Sequence, residues 1–480
     1  MNRASQRTEP ELPDVTAFIE MVRTAPGFFD GASGDIFVTR APGRLDVMGG
    51  IADYSGASML ELPIAEAAIA GLQRQKERRI KIKSLVADAL DGNREFELPL
   101  DELETGGEPI NYEAAQARFA HNPNDHWAAY IAGAFLVLMR ERGVRFDEGA
   151  RILLDSRVPE GKGVSSSAAI EVAAMSAIAS AFDIELEPDE MARLCQMVEN
   201  LIVAAPCGIM DQMSSVHGQA NRLVLIGCQP AEMYRTLELP DELQLWGIDS
   251  GVRHSVGGGD YGAVRTGAFM GYRMIADLAG LTVEPSGQAG VVRINDPEWG
   301  GYLANLTPAE FESEFSQKLP KKITGKEFLA RYQGITDTVT RINPEKRYAV
   351  LNPTRHPIHE NERVTIFVAL LQKSITEIRA RSLGELMYAA HEGYNSCRRG
   401  SPETDRLVQL VKRSPELYGA KITGGGSGGT VAVLGRKGAG EAVNQVAREY
   451  EQQTGYQPYI FSGSSMGAAA FGHLRIDLKE

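Results

Sequence analysis

An α+β chain with antiparallel sheet, folded as two packed units, is what three features of this sequence predict. Its 480 residues exceed what one ordinary core organises. Strand-like and helix-like segments alternate without the regular beat of a doubly wound parallel sheet. The 50 glycines cluster in short runs between patterned segments, which marks tight loops where backbone approaches something closely.

The elements follow in chain order. Residues 1–34 read as an amino-terminal extension, 35–225 as the first unit, and 226–480 as the second, with an irregular, polar insertion at about 282–348. Asp35 to Thr39 (DIFVT) has the packed, branched residues of a strand. APGRLDVMGGIADY follows it, and places Arg44 and Asp53 in a glycine-rich connection. Arg151 to Val158 (RILLDSRV) reads as a second strand. After PEGKGVSSS comes AAIEVAAMSAIASAF, alanine-rich and apolar at helical spacing, hence a helix. Pro188 to Val203 opens with proline and acids, as helices do. Near the end, Ala420 to Thr423 and Thr430 to Leu434 read as strands joined by a glycine loop.

Composition excludes several function classes. Fifty basic and 63 acidic residues give a net charge of −13, which argues against a nucleic-acid partner. No apolar run reaches the ~18–20 residues of a membrane span; Trp127 to Met139 is the longest charge-free stretch of note. The polar amino terminus, MNRASQRTEPELPDV, lacks the apolar core of a secretion signal. Four cysteines (Cys195, Cys207, Cys228, Cys397) form no CxxC pair, which suits a reducing cytoplasm and excludes a zinc ribbon.

The strongest local signal is the junction of Gly161, Lys162, Gly163, Val164, Ser165, Ser166, Ser167 and Ala168 between a strand and a helix. Free backbone N–H groups and the helix dipole make such a junction an anion site, and its glycines admit a phosphate closely. It is not a Walker loop, because GxxxxGK[ST] is absent. One serine would serve as a helix cap; three after GxG ask for more. TGGGSGG formally contains GxGxxG at Gly424, Gly426 and Gly429, but a strand follows it rather than a helix, which excludes a dinucleotide fold.

APGR…ADY, PxGxGVSSSAA and TGGGSGG together resemble the three motifs of the GHMP kinase family of small-molecule kinases. CGIMDQ at 207–212, and RHS at 253–255 followed by Tyr261, resemble its galactokinase branch. APGRLDVMGGIADYSG, DHWAAYIAG, VPEGKGVSSSA, APCGIMDQM, IDSGVRHSVGG, WGGYL and PTRHPIHEN are similar to the L-arabinokinase group within it. The likeness runs from about Asp35 to about Gly472.

The resemblance implies a ribosomal-protein-S5-like amino-terminal domain and an α/β carboxy-terminal domain, with the active site between them. It implies an ATP-dependent sugar 1-kinase that phosphorylates the anomeric hydroxyl of L-arabinose. A galactokinase and a non-catalytic sugar-binding sensor of the same fold are the alternatives. The expected partners are a small sugar and ATP, with neither nucleic acid nor membrane; oligomeric state is left open. Asp211 would accept the hydroxyl proton with Arg44 beside it, and Arg44, Asp53, Gly208, Asp211 and Tyr261 would bind sugar. Gly161 to Ala168, Gly425 and Gly426 would bind nucleotide, and Ser167 and Glu199 would hold Mg²⁺. Galactokinases typically carry Glu and His where this chain has Gly50 and Ile51, so an apolar pentose edge is expected there. His254 and His391 are read as structural.

Overall fold

The computed structural model describes residues 12–24, 26–29, 34–85, 95–253 and 259–478. An eight-stranded sheet forms the larger layer. It is built on β1 (Ile36–Met48), β2 (Ser58–Gln75), β3 (Arg79–Ser84), β4 (Glu95–Pro99) and β5 (Gly149–Ser156). The hairpin of β6 (Arg222–Gly227) and β7 (Glu232–Glu238) continues it, so the expected boundary after residue 225 falls inside a strand. A second sheet of four strands holds β8 (Leu243–Asp249), β9 (Leu417–Ile422), β10 (Thr430–Arg436) and β11 (Ile460–Ser462). β12 (Leu474–Ile476) returns to the first sheet beside β1.

The larger sheet runs β12–β1–β2–β5–β3–β4, with β6 on β2 and β7 on β6; the smaller runs β9–β10–β8–β11. Every described pair within these two sheets is antiparallel except β3 with β5, which agrees with the α+β expectation.

The helices are placed by their apolar faces. α1 (Pro13–Thr24) covers the β12 side of the sheet through Val15, Phe18 and Val22. α2 (Ala129–Arg142) contains most of the charge-free stretch and is buried almost all round, so that run is a core helix. Against it lies α3 (Ser166–Ala181), alanine-rich, which packs across β1 and β2 and meets the backbone through Thr39 Oγ1, 2.7 Å from the Ala173 carbonyl. α4 (Pro188–Met197) runs into a π-helical turn, Val198–Val203, and α5 (Met210–His217) follows. α6 (Gly259–Leu278), α7 (Leu351–Leu371), α8 (Glu377–Ser396), α9 (Pro402–Lys412) and α10 (Gly440–Thr454) complete the second half. Among the described residues no helix is long and apolar enough to cross a membrane.

The segment 282–348 is more ordered than its composition suggests. Short strands and helical turns carry Trp299, Leu303, Phe311, Phe315 and Phe328 into a buried cluster with Tyr272 and Met274 of α6. Polar residues dominate the count, but these aromatics recur often enough to build a small core against that helix.

The two sheets are joined by a fully buried charge pair. Lys421 of β9 donates to Asp46 of β1 at 2.7 Å, and both side chains are fully buried. Tyr394 of α8 donates to the same carboxylate at 3.0 Å, and the Asp46 amide donates to Thr423 Oγ1 at 2.7 Å. Removing one partner of such a pair strands the other. Lys421→Met is therefore expected to lower stability in urea denaturation by about 3–5 kcal/mol, and adding Asp46→Leu to recover much of the loss.

Candidate active site

Arg44 does not lie in a loop. β1 continues through Pro42 and Gly43 to Met48, with irregular register against β2 between Pro42 and Arg44 and between Asp46 and Met48. Proline and glycine discourage a regular central strand, and such register breaks are where sheets tolerate them. A Cβ at Gly43 would lie 2.5 Å from the Val164 carbonyl, so only glycine lets the phosphate-type loop close on the strand, where Arg44 N donates to that carbonyl at 3.0 Å.

Arg44 is 2% exposed. Its Nε and Nη2 donate to Asp211 Oδ1 at 2.9 and 2.5 Å, and Nη1 donates to the Gly163 carbonyl at 2.7 Å. Glu61 of β2 stands behind it, 3.3 Å from Nε. Burial opposes the guanidinium charge, but Asp211, Glu61 and Asp46 more than offset it, so its pKa rises. The Glu61 carboxyl is pushed well above its usual range by burial and by Asp46, against the pull of Arg44.

The glycine–serine loop wraps the start of α3. Gly161, Gly163 and Ser165 all take left-handed backbone, and at Ser165 a side chain makes that strained. Its hydroxyl is buried, makes no cap bond and has no hydrogen-bond partner among the described residues. The first turn of α3 therefore turns N–H groups without a side-chain cap toward a cavity of about 390 Å³.

Gly161, Gly163, Ser165, Ser166, Ser167 and Gly425 line that cavity; Val164 and Ala168 are core residues instead, and Gly426 packs on Arg399. Lys162 departs furthest from expectation. Its Nζ pairs with Asp249 at 2.7 Å and reaches Tyr456 Oη at 3.3 Å, on a second cavity behind the loop. The buried Asp249 carboxylate is a stronger attraction than open solvent.

Asp211 opens α5 and lines the cavity, as do Asp53, Gly208 and Tyr261. Asp53 sits in a short 3₁₀ turn, where burial and the charge of Asp211 push its carboxyl up to about 6, against Arg265. Gly50 and Ile51 do not line the cavity. A Cβ at Gly50 would lie 1.8 Å from Tyr394 Oη and 2.0 Å from an Asp46 carboxylate oxygen, so a Glu there has no room beside the inter-sheet pair. Ile51, also left-handed, packs behind the wall with Val264, Tyr394 and Ile422, against Tyr261. Its contribution to the pocket passes through that tyrosine.

Glu199 lies on the π-helical turn and lines the cavity beside Ser167, whose hydroxyl bonds it. Burial and Asp211 push its carboxyl up to about 7, while Ser167, Cys207 and Gln212 pull it down. Gln212 Nε2 bridges Glu199 at 2.7 Å and the buried Glu171 at 3.0 Å. Ser167 and Glu199 are two hard oxygen donors side by side; among the described residues no group of three metal-ligating side chains occurs. His391 is structural, between Asp405 at 2.8 Å and the Ile422 amide, whereas His254 lies outside the described residues.

Several residues in and behind the wall escape local reading. Glu61 and Glu171 stand in apolar or helical surroundings with no motif of their own, and the bridging role of Gln212 is not stated by the CGIMDQ motif that it ends. Trp127, Tyr130, Leu154 and Ile170 form an apolar end of the cavity. Trp127 and Tyr130 stand within DHWAAYIAG, so the aromatic pair next to that run was the available signal.

Comparison with known proteins agrees with this arrangement. The GHMP kinases N terminal domain matches residues 129–219, and the GHMP kinases C terminal domain matches residues 369–452. A protein of Arabidopsis thaliana named L-arabinokinase is 45% identical, over 95% of this chain and 48% of its own length. The chain thus spans about half of that relative. A galactokinase of Chloroflexus aggregans is 27% identical over 88% of this chain and 90% of its own. The solved structure of Lactococcus lactis galactokinase complexed with galactose superposes with a TM-score of 0.71 at 20% identity, covering 95% of this chain and 99% of that one. A mevalonate kinase structure gives 0.52 at 16%, over 90% and 99%. With both of its domains matched and its two-domain fold shared, the chain belongs to the GHMP kinase family.

Proposed function

We propose that this chain is an ATP-dependent sugar 1-kinase that converts L-arabinose to L-arabinose 1-phosphate, with release of ADP. The observation that carries the reading is the pair of buried Arg44 and half-buried Asp211 facing the uncapped start of α3 across one cavity. The 45% identity to a protein named L-arabinokinase supports the choice of sugar. A second reading, galactokinase, is favoured by relatives of that name at 27–28% identity over 88% of the chain. Since Ile51 stands behind the wall, no apolar edge of its own discriminates pentose from hexose. The four free cysteines suit work in the cytoplasm.

The chemistry needs positioning and charge more than covalent help. The α3 N–H groups and the Ser165 to Ser167 hydroxyls would cradle the ATP phosphates, and Trp127, Tyr130, Leu154 and Ile170 would flank the base. Asp211 would receive the anomeric proton as that oxygen bonds to the γ-phosphorus and the bond to the β–γ bridging oxygen breaks. Arg44 holds Asp211 in place through the bonds from its Nε and Nη2.

The pair of Ser167 and Glu199 fits Mg²⁺. Both offer hard oxygens, and the buried carboxylate, disfavoured beside Asp211, would be relieved by a dication. Bound there, the ion would neutralise phosphate charge.

A panel of free sugars with Mg-ATP, read by ADP release, tests the reading. L-arabinose is expected to give the highest kcat/KM; a preference for D-galactose would select the second reading, and no sugar-dependent ADP would leave only a binding protein. Asp211→Asn is nearly isosteric and still accepts from Arg44. It is expected to keep the fold and sugar binding while turnover falls by ~10²–10⁴-fold; near-wild-type turnover would remove Asp211 from the mechanism. Ser165→Gly relieves left-handed strain of about 1 kcal/mol, so Tm should rise. The same change removes a hydroxyl aimed at phosphate, and KM for ATP should rise about 10- to 100-fold. An unchanged KM would mean the hydroxyl touches no nucleotide.

A further inference from the structure

The ordered segment 282–348 reaches toward the site through an ion pair with α6. Its Asp337 is buried and takes a bidentate pair from Arg265 of α6, Nε to Oδ2 at 2.9 Å and Nη2 to Oδ1 at 2.8 Å. The remaining capacity of that carboxylate is filled from its own loop, by the Val339 and Thr340 amides and by Thr340 Oγ1. Asp337 is thus fully engaged in orienting one guanidinium.

Arg265 uses its third face toward the cavity wall. Nη1 donates to the Cys207 carbonyl at 2.8 Å, alongside Asn200, whose side chain holds both ends of the same residue. The next residue, Gly208, lies against the Asp53 carboxylate so closely that a Cβ would fall 1.6 Å from Oδ2. Arg265 also stands 5.6 Å from the Tyr54 ring and one helical turn after Tyr261. Tyr54 and Tyr261 meet edge to face at 6.0 Å. Three of the groups expected at the sugar, namely Asp53, Gly208 and Tyr261, therefore share one support that does not itself line the cavity.

We propose that Arg265, aligned by Asp337, is a positioning residue that sets the sugar end of the pocket, so that the segment 282–348 acts in substrate recognition. This rests on the sugar-kinase reading. The nucleotide end is built from α3, the apolar wall and the β9–β10 loop, and among the described residues the hydrogen bonds of Arg265 and Asp337 go elsewhere. Its role is therefore selective for one substrate.

The test is steady-state kinetics on the full chain with both substrates varied. Asp337→Asn should raise KM for the sugar at least tenfold while KM for ATP stays within about twofold. Because a lone buried guanidinium can unfold the chain, the second variant is Arg265→Met with Asp337→Leu. An apolar replacement of both partners restores stability where a buried pair is only structural. Here Tm should return toward the unmodified value while the sugar KM stays raised, since the Cys207 carbonyl and Asp53 still lack their cation. Arg265→Lys, which keeps the charge without the planar fork, should fall between. A double variant with unmodified sugar KM would overturn the proposal, as would a rise in KM for ATP in step with that for sugar. If the unmodified protein releases no ADP with any sugar, the sugar-kinase reading fails and the positioning role falls with it.

Discussion

The Arg44 guanidinium, held out of water, draws its partners from three separate segments: it donates to Asp211 from α5 and to the Gly163 carbonyl from the loop before α3, and Glu61 from β2 stands 3.3 Å away as an ionic neighbour. A buried cation without those partners would be strongly unfavourable. Satisfying it brings the candidate base, the phosphate-type loop and the floor of the first sheet to one place. The bulged course of β1 and the missing side chain at Gly43 are what let the loop come that close. Stability and site geometry thus share a single requirement.

The second half of the chain is fastened to the same strand, two residues further on. Asp46 meets Lys421, Tyr394 and Thr423, so β1 serves both sheets, and the glycine loop after β9 is delivered to the cavity edge by that attachment. Gly50 is confined by the same cluster. This is why a change at Gly50 acts on the seam between the sheets before it can act on a ligand. Specificity at the sugar end has to come from residues that face the cavity, or from those that hold them, such as Arg265.

What the sequence revealed was mostly local. The turn PEGKGVSSS, the alanine-rich helix after it and the strands around TGGGSGG are each specified by neighbouring residues, and they stand where they were expected. The missed features depend on partners far along the chain. Arg44 becomes a strand residue only because β2 pairs with it. Lys162 turns from the cavity because Asp249 and Tyr456 wait behind the loop. Ile51 is hidden by Tyr394 and Ile422, and the cluster around Trp299 and Phe311 forms only against α6. Glu61 and Glu171 carry no motif, since a lone acid in an apolar context announces nothing until its neighbours are known.

If transfer to the anomeric oxygen is what this cavity performs, the position of the new bond is its most direct signature. Purified protein, Mg-ATP and L-arabinose labelled with ¹³C at carbon 1 can be followed by nuclear magnetic resonance. The expected result is a C1 signal split by coupling to phosphorus, growing in step with ADP. A phosphorus attached to any other carbon, or ATP consumed with C1 unchanged, would contradict it.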